Sequence, residues 1–403
     1  MRALEVNMQM TPPPGVFPLE GTRVVDMSRL LPGPFLTQLL ADLGAEVIKV
    51  ETPLAGDYAR MVPPETGLDG LFEAVNGGKK SLAVNYRREE GREILHRLVA
   101  RADVFVEGFR PGAVERWGLD YETLREINPR LVYLSLSGYG QSGPYRDRVG
   151  HDLNYQAIGG SLGLNGLAGG PPVPPSIPLA DLGGATFGAL AILAALLGRE
   201  RSGQGMYLDV ALMDAVVAWM APLAGGPYFA HGTRPRRGQM PLAGGLPCFN
   251  VYETADGRYL SLAALEPQFW SAFCQTVGHP EWLPRQWEPA LYDEIAAVFR
   301  TRPLEAWLAA FEGVEACLEP VLDYEETLTH PQVKHRGLVL EDKAGRPVGI
   351  APPFPFLPRR QRPPAPALGA HSREVLRILG YDEGEIDALA AKRVIGEGKL
   401  QAR

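Results

Sequence analysis

Three short stretches place acid–base side chains beside glycine or proline. VGHDLNY carries His151 and Asp152, PLADLGG carries Asp181, and ALEPQF carries Glu266. Histidine changes its protonation state near neutral pH, and a carboxylate can orient a histidine or exchange a proton with a substrate. These residue types therefore indicate a general acid–base site.

Each of these residues also has a structural interpretation. A lone histidine such as His151 is more often structural, Asp181 also fits the N-cap of the apolar helix that follows, and Glu266 also fits a first-turn helix charge. Gly183 and Gly184 after the aspartate would let backbone N–H groups face a ligand. The helix dipole at that point favours a carboxylate or a developing oxyanion. A helix cap and a catalytic site are compatible there.

Composition limits the class of protein. The 403 residues are 45% hydrophobic and 22% charged, which is ordinary for a soluble globular protein. This length suggests two domains, or one large domain with a small one. The formal net charge of -7 argues against a nucleic-acid-binding protein, which would carry a basic excess. It is compatible with an anionic small ligand held by a local basic cluster.

The cysteines and the apolar segments indicate a reduced, cytoplasmic protein. Cys248, Cys274 and Cys317 are odd in number and lack metal-ligand spacing, so we expect neither disulfides nor a metal site. Residues 1–18 lack the long apolar core of a signal peptide. The most apolar run, 188–198, is shorter than the ~20 residues that span a bilayer and predicts a buried helix.

The first 140 residues alternate between strand-like and helix-like segments. The predicted strands are TRVVDMS (22–28), AEVIKVE (45–51), ADVFVEGF (102–109) and LVYLSLSGYG (131–140), and the predicted helices are PGPFLTQLLADLG (32–44), EILHRLVAR (93–101) and YETLREINPR (121–130). Such alternation predicts an α/β fold, with a parallel sheet covered by helices in a Rossmann-like large domain. The first βα turn, SRLLPGP, has neither a G-x-G-x-x-G fingerprint nor a phosphate loop, which excludes an NAD enzyme or an NTPase.

Composition shifts divide the chain further. We predict a large Rossmann-like domain at 18–224, a Gly/Pro-rich linker at 225–247 and a smaller α+β domain at 248–335, which opens with a hairpin. A proline-rich return linker at 336–369 and a pair of C-terminal helices at 370–403, packing on the large domain, complete the prediction.

Taken together, the three acid–base stretches resemble one family. GHDLNY, ADLGG with the apolar segment after it, and ALEPQF are similar to motifs of the class III coenzyme A transferases and α-methylacyl-CoA racemases. The resemblance starts at LEGTRVVDMSRLLPGPF and continues through VEGFRPGAVERWGLD, LSGYGQSGP and the C-terminal GAHSREVLRILGYDEGEIDALAAKRVI. It covers nearly the whole chain, which most resembles the racemases.

This resemblance implies exchange of the α proton of a 2-methylacyl-CoA thioester. In the racemases a histidine and an aspartate are the two bases, at the positions of His151 and Asp181, and a glutamate at the position of Glu266 pairs with the histidine. Inversion needs one group on each face of the α-carbon. Imidazole, with an ordinary pKa of ~6.5, can hold either state near neutrality, whereas aspartate, at ~3.9, needs burial to act as an acid. Backbone N–H groups near Asp181 would stabilise the enolate.

Two other functions stay open. Class III CoA transferases keep the aspartate, which carries the acyl group as a mixed anhydride, and they generally lack the histidine. They have a glutamine in the first βα turn, where this chain has Leu31. They also have a glycine-rich flap over the acyl group, and the only similar segment in this chain is LAGGLPC. Both departures favour the racemase. The third possibility, a non-catalytic acyl-CoA-binding protein, is disfavoured because all three acid–base residues are present.

Contacts with coenzyme A are also implied by the resemblance, and CoA enters as part of the substrate, so that no cofactor is expected. The candidate residues are Val84, Asn85, Tyr86, Arg87, Gly108, Phe109, Arg110, Arg116, Gly150, Asp152, Leu153, Asn154 and Tyr155. For the phosphates we favour Arg110 and Arg116 over Lys79 and Lys80, since single lysines are usually solvated. Segment 150–155 would follow the pantetheine arm, with Asp152 capping or fixing the loop. Racemases often carry arginine where this chain has Thr52, so one phosphate or adenine contact differs.

An interlocked homodimer is the assembly that the resemblance implies. Each chain would thread through the linker of the other, as the long linkers 225–247 and 336–369 allow. His151 and Asp181 would then come from one chain and Glu266 from its partner. The expected partners are the acyl-CoA substrate and a second copy of the chain, with no nucleic acid and no membrane.

Overall fold

The structure is a computed structural model and describes residues 17–398 of the chain. The strands are β1 (Arg23–Met27), β2 (Glu46–Glu51), β3 (Lys80–Val84), β4 (Val104–Glu107), β5 (Val132–Ser137), β6 (Met206–Ala211), β7 (Phe249–Glu253), β8 (Tyr259–Ala263), β9 (Leu318–Pro320), β10 (Val339–Glu341), β11 (Pro347–Ile350) and β12 (Ile395–Gly396).

The helices in the same part of the chain follow in order. They are α1 (Pro32–Asp42), α2 (Leu71–Asn76), α3 (Glu89–Val99), α4 (Tyr121–Ile127), α5 (Asp152–Gly159), α6 (Ser161–Leu164), α7 (Leu179–Ser202), α8 (Leu212–Met220), α9 (Gly226–His231), α10 (Pro267–Val277), α11 (Leu291–Phe299), α12 (Leu304–Ala310), α13 (Tyr324–Thr329), α14 (Pro331–His335), α15 (Ser372–Ile378) and α16 (Glu383–Ala391). The chain divides into two compact units.

Unit 1 consists of 17–155, 178–216 and 334–398 and is built around a seven-stranded sheet. The strand order is β12-β3-β2-β1-β4-β5-β6, and all neighbours are parallel except β12, which pairs antiparallel with β3. The α/β class with a mostly parallel sheet is therefore confirmed. All four strands predicted in the first half are present.

Apolar runs place the central strands inside unit 1. The strands β4 and β5 are buried along their whole length, as expected for parallel strands with helices on both faces. On one face, Val25 and Phe105 pack in the core with residues of α3, α15 and α16. On the other, Val24 and Val104 pack with residues of α1 and α7. The C-terminal helices thus complete the core of unit 1.

The predicted buried helix at 188–198 is part of the 24-residue α7. By length and composition alone α7 could cross a membrane. It packs closely in unit 1, however, because a Cβ on Gly188 would come 2.5 Å from a methyl group of Leu36 in α1. The glycine permits this approach, which is the packing of a core helix.

Unit 2 consists of Gln156–Ile177 and Val217–Val333. Its antiparallel sheet has the order β7-β8-β9 and includes the predicted hairpin, with Tyr252 opposite Leu260. Helices α10, α11 and α12 cover this sheet, and Trp270, Phe273 and Phe299 are fully buried among them.

Both predicted linkers contain elements that sequence analysis left out. Segment 225–247 includes α9, in which Pro227 occupies the first turn, where its missing N–H costs nothing. Segment 336–369 includes the β10–β11 hairpin. The Asp342 side chain accepts hydrogen bonds from the backbone N–H groups of Ala344 and Arg346, which stabilises the hairpin turn.

Candidate active site

His151 lies directly before α5, in a loop that the neighbouring residues hold. Its carbonyl accepts a hydrogen bond from the Asn154 N–H at 2.8 Å, and its own N–H donates to the Asn154 side chain at 3.0 Å. The Tyr155 hydroxyl donates to the carbonyl of Gly150. The imidazole itself is exposed. Asn154 and Tyr155, predicted to follow the pantetheine arm, hold the histidine loop.

This loop is anchored at the carboxyl end of β5. Gly138 directly follows β5, and a Cβ there would lie 2.3 Å from the ring of Tyr155. The ring of Tyr139 packs edge-on against Tyr155 at 5.0 Å. Ligands of open α/β sheets bind outside the carboxyl ends of the strands. The histidine loop is therefore fixed where a substrate is expected.

Asp152 connects the histidine loop to the first turn of α7. Its Oδ1 atom accepts hydrogen bonds from the backbone N–H groups of Ala180 at 2.8 Å and Asp181 at 3.1 Å. The N-cap position of α7 is Pro178, which has no side-chain group that could cap the helix. Asp152 supplies these bonds from 28 residues away, and it thereby fixes Asp181 relative to the segment that carries His151.

Two details of the predicted role of Asp181 are wrong. The residue lies in the first turn of α7 and is not its N-cap. The N–H groups of Ala180 and Asp181 already donate to Asp152, so they are not free to stabilise an enolate. Gly184 likewise serves packing, since a Cβ there would lie 2.4 Å from the Leu212 side chain.

Burial gives Asp181 an unusual acidity. The carboxyl group is partly buried, and this burial, together with the negative charge of Asp152, raises its pKa from 3.8 to about 7. The same two carboxylates contribute to the raised pKa of Tyr155, about 12, of which burial is the main cause. A carboxyl group with a pKa near 7 can both donate and accept a proton at neutral pH.

We expect Asp181→Asn to change the pH dependence of stability. The folded pKa of about 7 lies above the ordinary 3.8, so between these values the folded state binds more protons than the unfolded state. The free energy of unfolding of the wild type therefore falls as pH rises through this window, and the variant lacks that contribution. Urea unfolding should show the variant gaining stability over the wild type from about pH 4 to about pH 8. A difference in unfolding free energy between variant and wild type that stays constant over this pH range would contradict the raised pKa of Asp181.

A second feature of unit 1 is a cleft of about 1980 Å³ at the carboxyl ends of β1, β2 and β3. Four predicted CoA contacts line it: Asn85, Tyr86, Arg87 and Phe109. The other predicted contacts are not among its lining residues, namely Val84, Gly108, Arg110, Arg116, Gly150, Asp152, Leu153, Asn154 and Tyr155.

Some of these contacts lie next to the cleft wall. Val84 is buried in β3, where it pairs with Ile395, whereas Arg110 and Arg116 are exposed. The ring of Trp117, directly after Arg116, lies 4.9 Å from Tyr86 and 5.0 Å from Phe109. An aromatic cluster thus forms one side of the cleft, with both exposed arginines beside it in sequence.

Sequence analysis missed two parts of this cleft. Arg29 lies two residues after the end of β1 and lines the cleft, as do residues between Ala390 and Gly398 at the C-terminal end. The position of Arg29 at the start of a βα loop was a usable signal. Nothing local marks the C-terminal residues, which reach the cleft because β12 pairs with β3.

Glu266 belongs to unit 2 and occupies the N-cap position of α10. Its carbonyl accepts a hydrogen bond from the Trp270 N–H at 3.0 Å, and its exposed side chain makes no capping bond. Its charge contributes to the raised pKa of the Cys317 thiol, of which burial is the larger cause. The carboxylate is therefore available to another group. Within residues 17–398 no cluster of histidine, cysteine and acidic side chains could hold a metal ion.

Comparison with known proteins finds relatives that align over nearly the whole chain. The sequence model of CoA-transferase family III matches residues 19–372. The chain is 38% identical to the alpha-methylacyl-CoA racemase of Mus musculus over 400 residues, 95% of this chain and 99% of the relative. It is 36% identical to the succinyl-CoA:glutarate CoA-transferase of Mus musculus, over 94% of this chain and 90% of that protein.

A solved structure extends the likeness to the fold. The crystal structure of a CAIB/BAIF family protein from Brucella suis matches with a TM-score of 0.78 and 31% identity, and the match covers 90% of this chain and 99% of that one. Since the sequence model matches most of the chain and the relatives align over nearly all of it, this protein belongs to CoA-transferase family III.

Proposed function

We propose that this protein is a racemase or epimerase of 2-methylacyl-CoA thioesters, in which His151 and Asp181 transfer the α proton. The observation that carries the proposal concerns Asp181. Its carboxyl group has a pKa of about 7, and its backbone N–H donates a hydrogen bond to Asp152, the residue next to His151. A carboxyl group with a pKa near neutrality can both give and take the α proton, which suits a reaction that must run in both directions. The similarity to α-methylacyl-CoA racemases supports the same activity.

The reaction needs one proton in the His151–Asp181 pair. From one enantiomer the neutral imidazole takes the α proton, and the C–H electron pair moves to the thioester carbonyl to form an enolate. The Asp181 carboxylic acid then gives its proton to the opposite face of the α-carbon. The other enantiomer reacts through the same steps reversed. Since both active forms carry a single shared proton, both directions should have one bell-shaped pH profile and a constant rate ratio.

The second candidate function is CoA transfer between carboxylic acids. The similarity to succinyl-CoA:glutarate CoA-transferases, at 33–36% identity, favours it. In that reaction the Asp181 carboxylate would attack the thioester and carry the acyl group as a mixed anhydride. A raised pKa works against this role, because it lowers the fraction of the ionised nucleophile at neutral pH.

One experiment separates these two functions. A single enantiomer of a 2-methylacyl-CoA is incubated with the protein, with and without an acceptor such as succinate or glutarate, and the products are separated on a chiral column. The racemase forms the opposite enantiomer without any acceptor until the mixture is near even. Formation of a new CoA ester only when the acceptor is present, with no inversion, would establish the transferase instead.

The interlocked homodimer and the role of Glu266 belong to the same proposal. The exposed, uncapped Glu266 carboxylate supports a partner outside α10, which we take to be His151 of a second copy. Co-folding His151→Ala with Glu266→Gln subunits should then give mixed dimers with one intact site, whereas mixing the two folded variants should restore nothing. Recovery on simple mixing would exclude interlocked chains. A cytoplasmic location remains part of the proposal.

A further inference from the structure

The charges that line the unit 1 cleft are unevenly compensated. Its carboxylates are each paired: Glu51 with Arg60, Asp57 with Lys49, and Glu397 with Arg373. Of its five cations, Arg88 and Lys392 both contact Glu90. The other three have no carboxylate partner within residues 17–398, namely Arg29, Arg87 and Arg393. The cleft therefore has a net positive charge that its own residues do not neutralise.

Arg29 is held in the cleft by two aromatic rings. Its guanidinium carbon lies 4.7 Å from the centre of the Phe109 ring and 5.0 Å from that of Tyr58. Stacking of this kind leaves the N–H groups at the edge of the guanidinium free to bind an anion. The side chain is only partly buried. Arg29 therefore offers fixed hydrogen-bond donors to a ligand.

Buried charges fix the loop that carries Arg29. Asp26 accepts hydrogen bonds from the N–H and hydroxyl of Ser28, and Lys49 donates to the Ser28 carbonyl at 3.1 Å. On the other side, Asp57 accepts the Leu30 N–H at 3.0 Å. Leu30 has a φ of 64°, a left-handed conformation that a leucine rarely adopts. The backbone on both sides of Arg29 is thus held by groups that solvent does not reach.

Arg393 approaches from the C-terminal end of the chain. It follows α16 with a φ of 56° and lines the cleft itself, whereas the left-handed Leu30 lies directly after the lining residue Arg29. The carbonyl of Val394 accepts the Asn85 N–H at 2.7 Å, next to the β12–β3 pairing. Left-handed non-glycine residues concentrate at functional sites, where surrounding contacts enforce them. These contacts bring Arg393 to the cleft wall that carries Asn85 and Arg87.

We infer that Arg29 and Arg393, together with Arg87, bind the phosphate groups of coenzyme A. The neutral Thr52 lines the same cleft, so these arginines supply its uncompensated positive charge. Three guanidinium groups match a ligand with a diphosphate and a 3′-phosphate, because guanidinium forms paired hydrogen bonds with phosphate oxygens. This inference rests on the proposed function, since it assigns one end of the same substrate.

Binding measurements without chemistry test this assignment. The probes are CoA and adenosine 3′,5′-bisphosphate, titrated calorimetrically into the full-length wild type and into Arg29→Gln, Arg393→Gln and the double variant. Each single substitution should weaken both probes about 10-fold, as expected for the loss of a hydrogen bond to a charged group, and the double substitution more. Added salt should weaken the wild type more steeply than the double variant. Arg201→Gln, an exposed arginine of α7 outside the cleft, is the matched control and should bind as the wild type does.

Each outcome decides the assignment. A folded double variant that binds both probes like the wild type would overturn it. If Arg29→Gln fails to fold, binding of the two probes by Arg393→Gln decides the assignment alone. Arg29→Lys keeps the positive charge and, if it folds, should retain part of the wild-type affinity for both probes. A wild type that binds both probes but inverts no 2-methylacyl-CoA would refute the racemase and leave this inference standing. Normal inversion of a 2-methylacyl-CoA, together with unchanged affinity for both probes in the variants, would support the racemase and overturn this inference.

Discussion

Replacing either His151 or Asp181 with alanine should slow the inversion of a 2-methylacyl-CoA by about 100- to 10,000-fold, the usual contribution of a general acid or base. Each variant retains one base. It should therefore still exchange the α proton of one enantiomer with solvent, and the two variants should do so with opposite enantiomers. The measurement combines chiral separation with NMR detection of solvent deuterium in each enantiomer.

Matched controls separate this loss from a folding defect. Asp147→Ala removes an exposed carboxylate near the histidine loop and should leave the inversion rate unchanged. Calorimetric titration of CoA should show that both alanine variants still bind the coenzyme, because neither residue lines the cleft. Undiminished inversion in either alanine variant would remove that residue from the mechanism. Loss of CoA transfer to an acceptor acid with Asp181→Ala but not with His151→Ala would point to the transferase.

The largest effect on stability is expected from Lys49→Met. The Lys49 Nζ lies 2.9 Å from a carboxylate oxygen of Asp57, and both side chains are inaccessible to solvent. Although burial alone would lower it, the pKa of Lys49 is raised by Asp26, Asp57 and Glu51, so the ammonium stays charged. Removing it leaves buried carboxylates without their cation, which should lower the free energy of unfolding by about 3–5 kcal/mol.

Lys80→Met is the matched control for this substitution. Lys80 pairs with Glu46 and Glu374 where all three side chains are partly exposed, and such pairs contribute about 0–1 kcal/mol. Urea unfolding of both variants at one pH gives the comparison. Equal losses of unfolding free energy in the two variants would show that the buried ion pair of Lys49 contributes no more to stability than the partly exposed pairs of Lys80. In addition, Lys49→Met should bind CoA more weakly, because the carbonyl of Ser28, beside Arg29, loses its donor.

The sequence predicted the sheet of unit 1 well, because its central strands are long apolar runs separated by amphipathic helices. It did not mark β3 or β6 as strands. β6 is an edge strand whose side chains are mostly exposed, so its pattern carries little hydrophobic signal. β3 starts at Lys80, directly after Lys79, and only its last three residues, 82–84, form an apolar run. Edge position and a short apolar run removed the pattern in these two cases.

The sequence indicated which residue types form the candidate site, but not the hydrogen bonds and packing contacts that hold them in place. The two bonds from Asp152 to the first turn of α7 join residues that are 28 and 29 positions apart, and no local spacing encodes them. The glycines after Asp181 suggested a ligand-binding helix start, whereas Gly184 provides room for Leu212. The approach of Arg393 to the cleft depends on the pairing of β12 with β3. Contacts between distant segments require the folded chain.

The most direct test of the two-base mechanism is exchange with deuterium oxide. Each pure enantiomer of a 2-methylacyl-CoA is incubated with the wild type in deuterium oxide without an acceptor acid, and the α position is followed by NMR and mass spectrometry after chiral separation. We predict that deuterium enters the α position of both enantiomers while the mixture approaches equal amounts. Absence of α-deuterium from every product, across a panel of branched and aryl 2-methylacyl-CoAs, would contradict proton transfer by His151 and Asp181.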